Sequence, residues 1–134
     1  MEENNNLHRQ IHPSFVVNDH ISNQAFLEKS TIVSSSAFAP TQKDKDKLSV
    51  YNGSKFTPKE SYAHFIKDYI SCGVLTVTVK EVIEIDSLSC EEDNDPFDGH
   101  SYIDFTEVTS KNQKTKKAGK LRDAAVKRGW TFKP

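Results

Sequence analysis

The segment Thr57–Glu81, TPKESYAHFIKDYISCGVLTVTVKE, holds a helix signal followed directly by a strand signal. Thr57 as N-cap, Pro58 at the first helical position and Glu60 three residues after the cap form a capping box. The apolar side chains that follow recur with helical spacing, which predicts a helix over residues 58–71. Its predicted core-facing side chains are Tyr62, Phe65, Ile66 and Tyr69.

The second half of this segment, GVLTVTV (73–79), alternates apolar residues with threonines and predicts a half-buried strand. Two continuations compete after it. Continued alternation would extend the strand to Ile85, whereas Thr78 and Glu81 form a second capping box that would open a short helix ending near Leu88. We favour the helix.

The N-terminal third reads as extended chain. LHRQIHPSFVV (7–17) predicts a strand interrupted by Pro13, and in it Leu7, Arg9 and Ile11 share one face while His8, Gln10 and His12 share the other. QAFLEKSTIVSSSAF (24–38) predicts one or two further extended pieces, and the likeness of SNQAF (22–26) to SSSAF (34–38) would suit paired strands.

The C-terminal third combines a loop, a strand and a helix. SCEEDNDPFDG (89–99) predicts a solvated acidic loop, in which Pro96 and Phe97 break any calcium-loop spacing, and HSYIDF (100–105) predicts a short strand. Ser110 and Gln113 form a third capping-box pattern, opening a helix to about Arg128 with a stripe of Ala118, Leu121 and Ala125. WTF (130–132) would add an edge strand.

These signals predict an α+β fold: a single compact domain at residues 7–134, with a small, mostly antiparallel sheet and two or three helices packed on it. Residues 1–6 are expected to be a flexible tail. The N-terminus is polar and acidic, no apolar run reaches membrane length, and two cysteines in no metal spacing suit a reducing compartment. We therefore expect a cytoplasmic protein with no membrane contact, no metal and no cofactor.

Charge is unevenly distributed although the net charge is −1. Residues 81–107 contain ten carboxylates and no Lys or Arg, and residues 111–134 contain nine Lys or Arg and one carboxylate. The basic helix would present side chains to nucleic acid or to a partner, namely Lys114, Lys117, Lys120, Arg122, Lys127 and Arg128. Alternatively it is a solvated face, or it matches the acidic segment within one chain or across a homodimer.

Three kinds of side chain are candidates for chemistry. His8 and His12 lie about 13 Å apart in a strand, too far to share a metal ion, but His12 before Pro13 remains either a site residue or a turn histidine that bonds the backbone. Arg9 on a core-facing strand requires either an anion in a cleft or a structural salt bridge, and we slightly favour the salt bridge. His64 is expected to face solvent. The serines at 34–36 fit no nucleophile motif and are expected at most to hydrogen-bond a ligand.

The segments LHRQIHPSF, SSSAFAPTQKDKDKLSVY, TPKESYAHF, GVLTVTV, HSYIDF and AAVKRGWTF, in that order, resemble a family of small bacterial proteins of unknown function. The shared pattern is R-x-x-H-P, S-x-A-F-x-P and K-L-S-V, with a histidine on the following helix, and this chain departs from it around NQAFLEKSTIV and in the acidic loop. The resemblance implies a bacterial cytoplasmic protein from a defence or mobile-element context. It adds weight to six candidate ligand-binding residues: Arg9, His12, Ser36, Phe38, Ser49 and His64.

Three functions remain open at this stage. The first is a non-enzymatic binding or accessory protein that acts with a larger protein partner. The second is a small enzyme or toxin-like domain that binds an anionic, nucleotide-type ligand through Arg9, His12 and the Ser34–Ser36 segment. The third is nucleic-acid binding by the basic helix. Convergence of Arg9, His12, Ser36 and His64 on one pocket would favour the second.

Overall fold

The computed structural model describes residues 1–17 and 32–134, which form seven strands and three helices. The strands are β1 (Asn6–Ile11), β2 (Val16–Val17), β3 (Ile32–Val33), β4 (Lys47–Asn52), β5 (Gly73–Thr78), β6 (Ser89–Glu92) and β7 (His100–Asp104). The helices are α1 (Pro58–Phe65), α2 (Val79–Ile83) and α3 (Lys111–Arg128). Five strands form an antiparallel sheet in the order β5-β1-β4-β7-β6, and β2 pairs with β3 apart from it. The predicted single α+β domain is confirmed.

The two faces of the sheet are covered by different elements. On one face α3 and the 3-10 helix Ser35–Phe38 pack over the apolar side chains of the strands. This core contains Leu7, Ile11, Val50, Leu75, Ile103, Phe38 and Leu121, among others. On the other face α1 covers polar but buried side chains of β1, so that Gln10 donates to Ser61 at 2.8 Å. Burial on both faces explains why β5 is buried along most of its length rather than on one side only.

Both predicted capping boxes in the Thr57–Glu81 segment are present, but both helices are shorter than expected. Thr57 and Glu60 cap α1, which ends at Phe65 instead of residue 71, and α2 ends at Ile83 instead of near Leu88. The expected apolar face of α1 is wrong in its second half, because Ile66 and Tyr69 lie beyond the helix and are 44% and 66% exposed. Capping fixes where a helix begins, whereas its end depends on packing that a local pattern does not contain.

Of the other predicted elements, some are confirmed and some are wrong. Pro13 interrupts the first strand as expected, and α3 buries Ala118, Leu121 and Ala125 as expected. The segment 24–38 contains one extended piece, β3, but SSSAF is not a strand: Ser34 accepts a hydrogen bond from the Ser36 N–H and caps a 3-10 helix. SNQAF lies outside the described residues. WTF contributes one bridge, between Phe132 and Val74, rather than a strand.

Residues that precede the first strand accept backbone hydrogen bonds from the start of α2. β1 begins at Asn6, and the backbone carbonyls of Glu3 and Asn5 accept hydrogen bonds from Lys80 and Val79 at 2.8 and 2.9 Å. The division of the chain into a flexible tail at 1–6 and a domain at 7–134 stays a prediction.

His8, on the α1 face of β1, is buried between two hydrogen-bond partners, and this gives a prediction for the pH dependence of stability. Its Nε2–H donates to the Phe56 carbonyl at 3.0 Å, so Nδ1 accepts from the Thr76 hydroxyl at 2.8 Å. Burial lowers the pKa of His8 below its ordinary 6.5. The unfolded chain therefore takes up a proton near pH 6.5 that the folded chain does not, and the free energy of unfolding falls as the pH drops below that value.

We expect His8→Gln to reduce this loss by up to about 1.4 kcal/mol per pH unit, the value for one proton. Urea unfolding at several pH values between 7 and 5 measures the slope. The control is Ser61→Ala, which removes a buried neutral hydroxyl on the same face and should lower stability equally at every pH. Equal slopes for wild type and His8→Gln would contradict the prediction.

Candidate functional site

The candidate site forms where two neighbouring strands part. β1 pairs with β5 over six residues, but it pairs with β4 only through Leu7–Asn52 and His8–Tyr51. Beyond that point the Arg9 side chain bridges β1 to β4: its Nη1 donates to the Ser49 carbonyl at 3.0 Å, and its Nε donates to the Ala37 carbonyl at 2.8 Å. A guanidinium thus replaces part of the β1–β4 ladder and holds the strands apart.

A cleft of about 540 Å³ opens at this split, on the side of the sheet that carries α1. Its size lies within the range of small-molecule sites. The lining combines charged, imidazole and aromatic groups. Its polar lining includes Arg9, Asp44, Ser49, His64, Asp68 and His100. A second cavity of about 380 Å³ adjoins it, shares Arg9 and Asp68, and is also lined by His12.

Arg9 brings positive charge into this cleft. Burial lowers the pKa of the guanidinium to about 10, opposed by the nearby Asp44 carboxylate, so Arg9 stays charged at neutral pH. Within residues 1–17 and 32–134, no carboxylate lies within salt-bridge distance of it. The structural salt bridge that we slightly favoured for Arg9 is therefore absent there, and its partners are backbone carbonyls.

His64 lies inside the cleft, not on the solvent face that helical geometry predicted. Its Nδ1 lies 2.8 Å from the Tyr51 hydroxyl, and its ring packs against Phe97 with centroids 4.4 Å apart. Burial raises the pKa of Tyr51, as do Asp68 and Tyr69, so the phenol keeps its proton. Either ring tautomer of His64 satisfies the hydrogen bond, because the phenol oxygen both donates and accepts.

His100 is a site residue that the sequence analysis missed, and it links two others. Its Nδ1 donates to the Asp93 carboxylate at 2.6 Å, and its Nε2 lies 3.2 Å from the Ser49 hydroxyl. The register of β4 and β7 explains why Ser49 and His100 lie together. Ser49 on β4 pairs with Tyr102 on β7, and His100, two residues before Tyr102, is therefore the diagonal neighbour of Ser49 on the same face. Histidine at the start of the predicted strand HSYIDF was the available signal.

The structure gathers some of the six predicted ligand-binding residues and separates others. Arg9, Ser49 and His64 line the cleft, and His12 lines the adjoining cavity while accepting the Ser14 backbone N–H at 3.0 Å, as a turn histidine does. Phe38 is completely buried in the core on the opposite side of the sheet. Ser36 is exposed and lies on neither lining.

Within residues 1–17 and 32–134, three of the six named basic side chains of α3 contact other parts of this chain. Arg128 pairs with Glu81 at 2.9 Å, Lys114 pairs with Asp46 at 3.0 Å, and Arg122 donates to the Val33 carbonyl at 2.9 Å. The Arg128–Glu81 pair joins the basic and acidic segments within one chain. Nucleic-acid binding, a protein partner and a homodimer stay predictions.

No family model, curated protein or solved structure matches this chain. Function must therefore be argued from the cleft. In the part of the chain that the structure describes, no three His, Cys, Asp or Glu side chains are grouped to hold a metal ion. No described helix combines the length and apolar character needed to cross a membrane.

Proposed function

We propose that this chain binds a small, nucleotide-type anion in the cleft between β1 and β4. The observation that carries the proposal is the convergence of Arg9, Ser49, His64 and His100 on one cavity of about 540 Å³. Arg9 and His64, two of the four residues whose convergence would favour ligand binding, line this cavity. Of the other two, His12 lines the adjoining cavity and Ser36 lies on neither lining. Ser49 and His100 complete the polar lining, and a cavity with several converging polar groups supports ligand binding.

Charge supports an anionic group near Arg9. The guanidinium is partly removed from water, and among residues 1–17 and 32–134 its bonded partners are two carbonyl dipoles. A charge held in this way favours a ligand that brings the opposite charge, and guanidinium matches phosphate and carboxylate in shape. The imidazole of His64 lies on the same lining.

The remaining lining suits the other parts of a nucleotide. The Phe97 ring is half-buried at the cleft and offers aromatic surface on which a planar base stacks, a contact worth about 1–3 kcal/mol per base. The Tyr51 ring, with its centroid 5.0 Å from that of Phe97, is buried against it. The Asp68 carboxylate is an acceptor for a sugar hydroxyl. A ligand with an anion, hydroxyls and a planar ring therefore uses all three kinds of group.

The test compares AMP with adenosine, which differ only in the phosphate. We expect AMP to raise the melting temperature and adenosine to raise it less, since saturation at one hundred times Kd adds about 2.7 kcal/mol to stability. Arg9→Lys keeps the positive charge but loses the bidentate geometry of the guanidinium, so it should weaken AMP binding about tenfold or more. Titration calorimetry measures the dissociation constants of AMP and adenosine for the wild type and for Arg9→Lys.

The matched control is Lys116→Gln, which removes one positive charge from α3 on the other side of the sheet and should leave AMP affinity unchanged. If AMP and adenosine bind equally, or if Lys116→Gln weakens AMP as much as Arg9→Lys does, the anion proposal is wrong. If neither AMP nor inorganic pyrophosphate binds at millimolar concentration, the cleft is not an anion site.

A further inference from the structure

Ser49, His100 and Asp93 form a hydrogen-bonded chain whose first two members lie on the lining of the cleft. Ser49 Oγ lies 3.2 Å from His100 Nε2, and His100 Nδ1 lies 2.6 Å from Asp93 Oδ1. Since a carboxylate only accepts, His100 Nδ1 carries a proton, and in the neutral imidazole Nε2 presents its lone pair to the serine hydroxyl. This is the order of roles that activates a serine nucleophile: hydroxyl, base, and carboxylate that orients the base.

Exposure and packing suit these roles. Ser49 is exposed in the cleft, while the His100 side chain is only 15% exposed and its ring meets the edge of Phe97 with centroids 5.4 Å apart. The imidazole is therefore held from two sides, by the Asp93 carboxylate and by the aromatic ring. A base that is fixed in this way and a nucleophile open to a substrate are the two conditions for covalent catalysis.

The same split of the sheet provides a place for negative charge to develop. The Arg9 guanidinium contacts the Ser49 backbone carbonyl at 3.0 Å, and Arg9 is the one permanently charged cation among the described residues of the lining. Donors and cations next to a nucleophile stabilise the oxyanion of a tetrahedral intermediate.

We propose that Ser49 is a catalytic nucleophile, activated by His100 and positioned through Asp93, that hydrolyses small carboxylic esters in this cleft. The inference rests on the proposed function for its site, and it adds a reaction to binding. An anionic ester, held by Arg9 with its carbonyl at Ser49, is the substrate class that uses the whole lining.

The reaction balances with water as the one co-substrate. Ser49 Oγ bonds to the ester carbonyl carbon as its proton passes to His100 Nε2, and the bond from that carbon to the leaving oxygen breaks as His100 returns the proton to it. Water then attacks the acyl-Ser49 ester, giving a proton to His100, and the carbon–Oγ bond breaks as Oγ regains a proton. The products are one acid and one alcohol.

The test uses diisopropyl fluorophosphate, a neutral probe that bonds to an activated serine with loss of fluoride. We expect one adduct on the peptide that contains Ser49, located by mass spectrometry of the folded chain, and none in Ser49→Ala. His100→Gln should slow labelling about 100-fold or more, because a positioned general base contributes about 10²–10⁴-fold. Asp93→Asn should slow it too, and Asp93→Glu should restore part of the rate.

The control is Ser54→Ala, which removes an exposed hydroxyl that bonds Asn52 in the turn after β4 and should label at the wild-type rate. Release of nitrophenolate from 4-nitrophenyl acetate, with loss in the same variants, supports the reaction as well. Absence of an adduct at Ser49, or a labelling rate that is the same with and without His100, overturns the proposal. Because the probe is uncharged, labelling without AMP binding separates this inference from the anion proposal.

Discussion

Replacing Phe38 by alanine should lower the free energy of unfolding by about 3–5 kcal/mol, the usual cost of truncating a buried phenylalanine. Phe38 is completely buried, at the end of a 3-10 helix that packs with α3 over the sheet. Truncation removes apolar contacts and leaves a cavity that the close-packed core fills only in part. Such a loss is a large fraction of the stability of a single domain.

Urea unfolding measures this loss, and two variants make it specific. Phe38→Leu nearly conserves volume and should cost less than about 1.5 kcal/mol. Phe97→Ala removes a half-buried ring from the cleft, so it should cost less stability than Phe38→Ala and should weaken AMP binding. If Phe38→Ala left stability unchanged and abolished AMP binding, Phe38 would be the ligand residue that the sequence indicated and its place in the core would be wrong.

Gly99→Ala should have the second large effect, because this position excludes a side chain for two reasons. Its φ is +98°, in a region that L-residues rarely adopt, and an added Cβ would lie 2.7 Å from the Phe56 ring. The backbone strain costs about 1–3 kcal/mol, and overpacking adds about 1–3 kcal/mol. Phe56 packs against Tyr51 with centroids 4.9 Å apart, and Gly99 immediately precedes His100, so the displacement reaches the cleft.

The chain contains a control that separates the two causes. Gly129 has a similar φ of +92°, but an added Cβ there meets nothing within 4 Å, so Gly129→Ala should show the backbone cost alone. We expect Gly99→Ala to lower the free energy of unfolding more than Gly129→Ala does, and to slow the labelling of Ser49 by diisopropyl fluorophosphate. Adding Phe56→Leu to Gly99→Ala should recover part of the lost stability. Equal losses of stability in the two alanine variants, with the labelling rate unchanged, would contradict the prediction, because they would show that the Phe56 ring moves aside at no cost.

The fold was predictable where a few neighbouring residues determine the structure. Thr57 and Thr78 each cap a helix with a glutamate three residues later, and Ser110 caps α3, because these bonds lie within one turn. The 3-10 helix at Ser35–Phe38 was missed since an N-cap serine in an apolar context also suits extended chain. The end of α1 at Phe65 was missed because it depends on which side chains the sheet accepts.

The site was only half predictable, for a reason of topology. Arg9 stood out as a charged residue on a core-facing strand, Ser49 was indicated only by the family resemblance, and the direction of His64 was predicted wrongly. His100 lies beside Ser49 because of the β4–β7 register, which brings residues about fifty positions apart onto one face. Sequence separation of that size carries no local signal. Asp93 lies only seven residues before His100, but nothing in the acidic segment distinguishes it from the neighbouring carboxylates.

The two outer strands of the sheet differ in how they resist association with other chains. The C-terminal residues cover β5: the Val74 N–H donates to the Phe132 carbonyl at 2.9 Å, and the Thr131 N–H donates to the Val74 carbonyl at 3.0 Å. β6, the opposite outer strand, instead carries Glu91 and Glu92. Uncovered strands recruit the strands of neighbouring molecules, and like charges placed across a new ladder oppose the pairing. One edge of the sheet is thus paired by the chain itself, whereas a ladder between two copies of β6 would bring like-charged glutamates together.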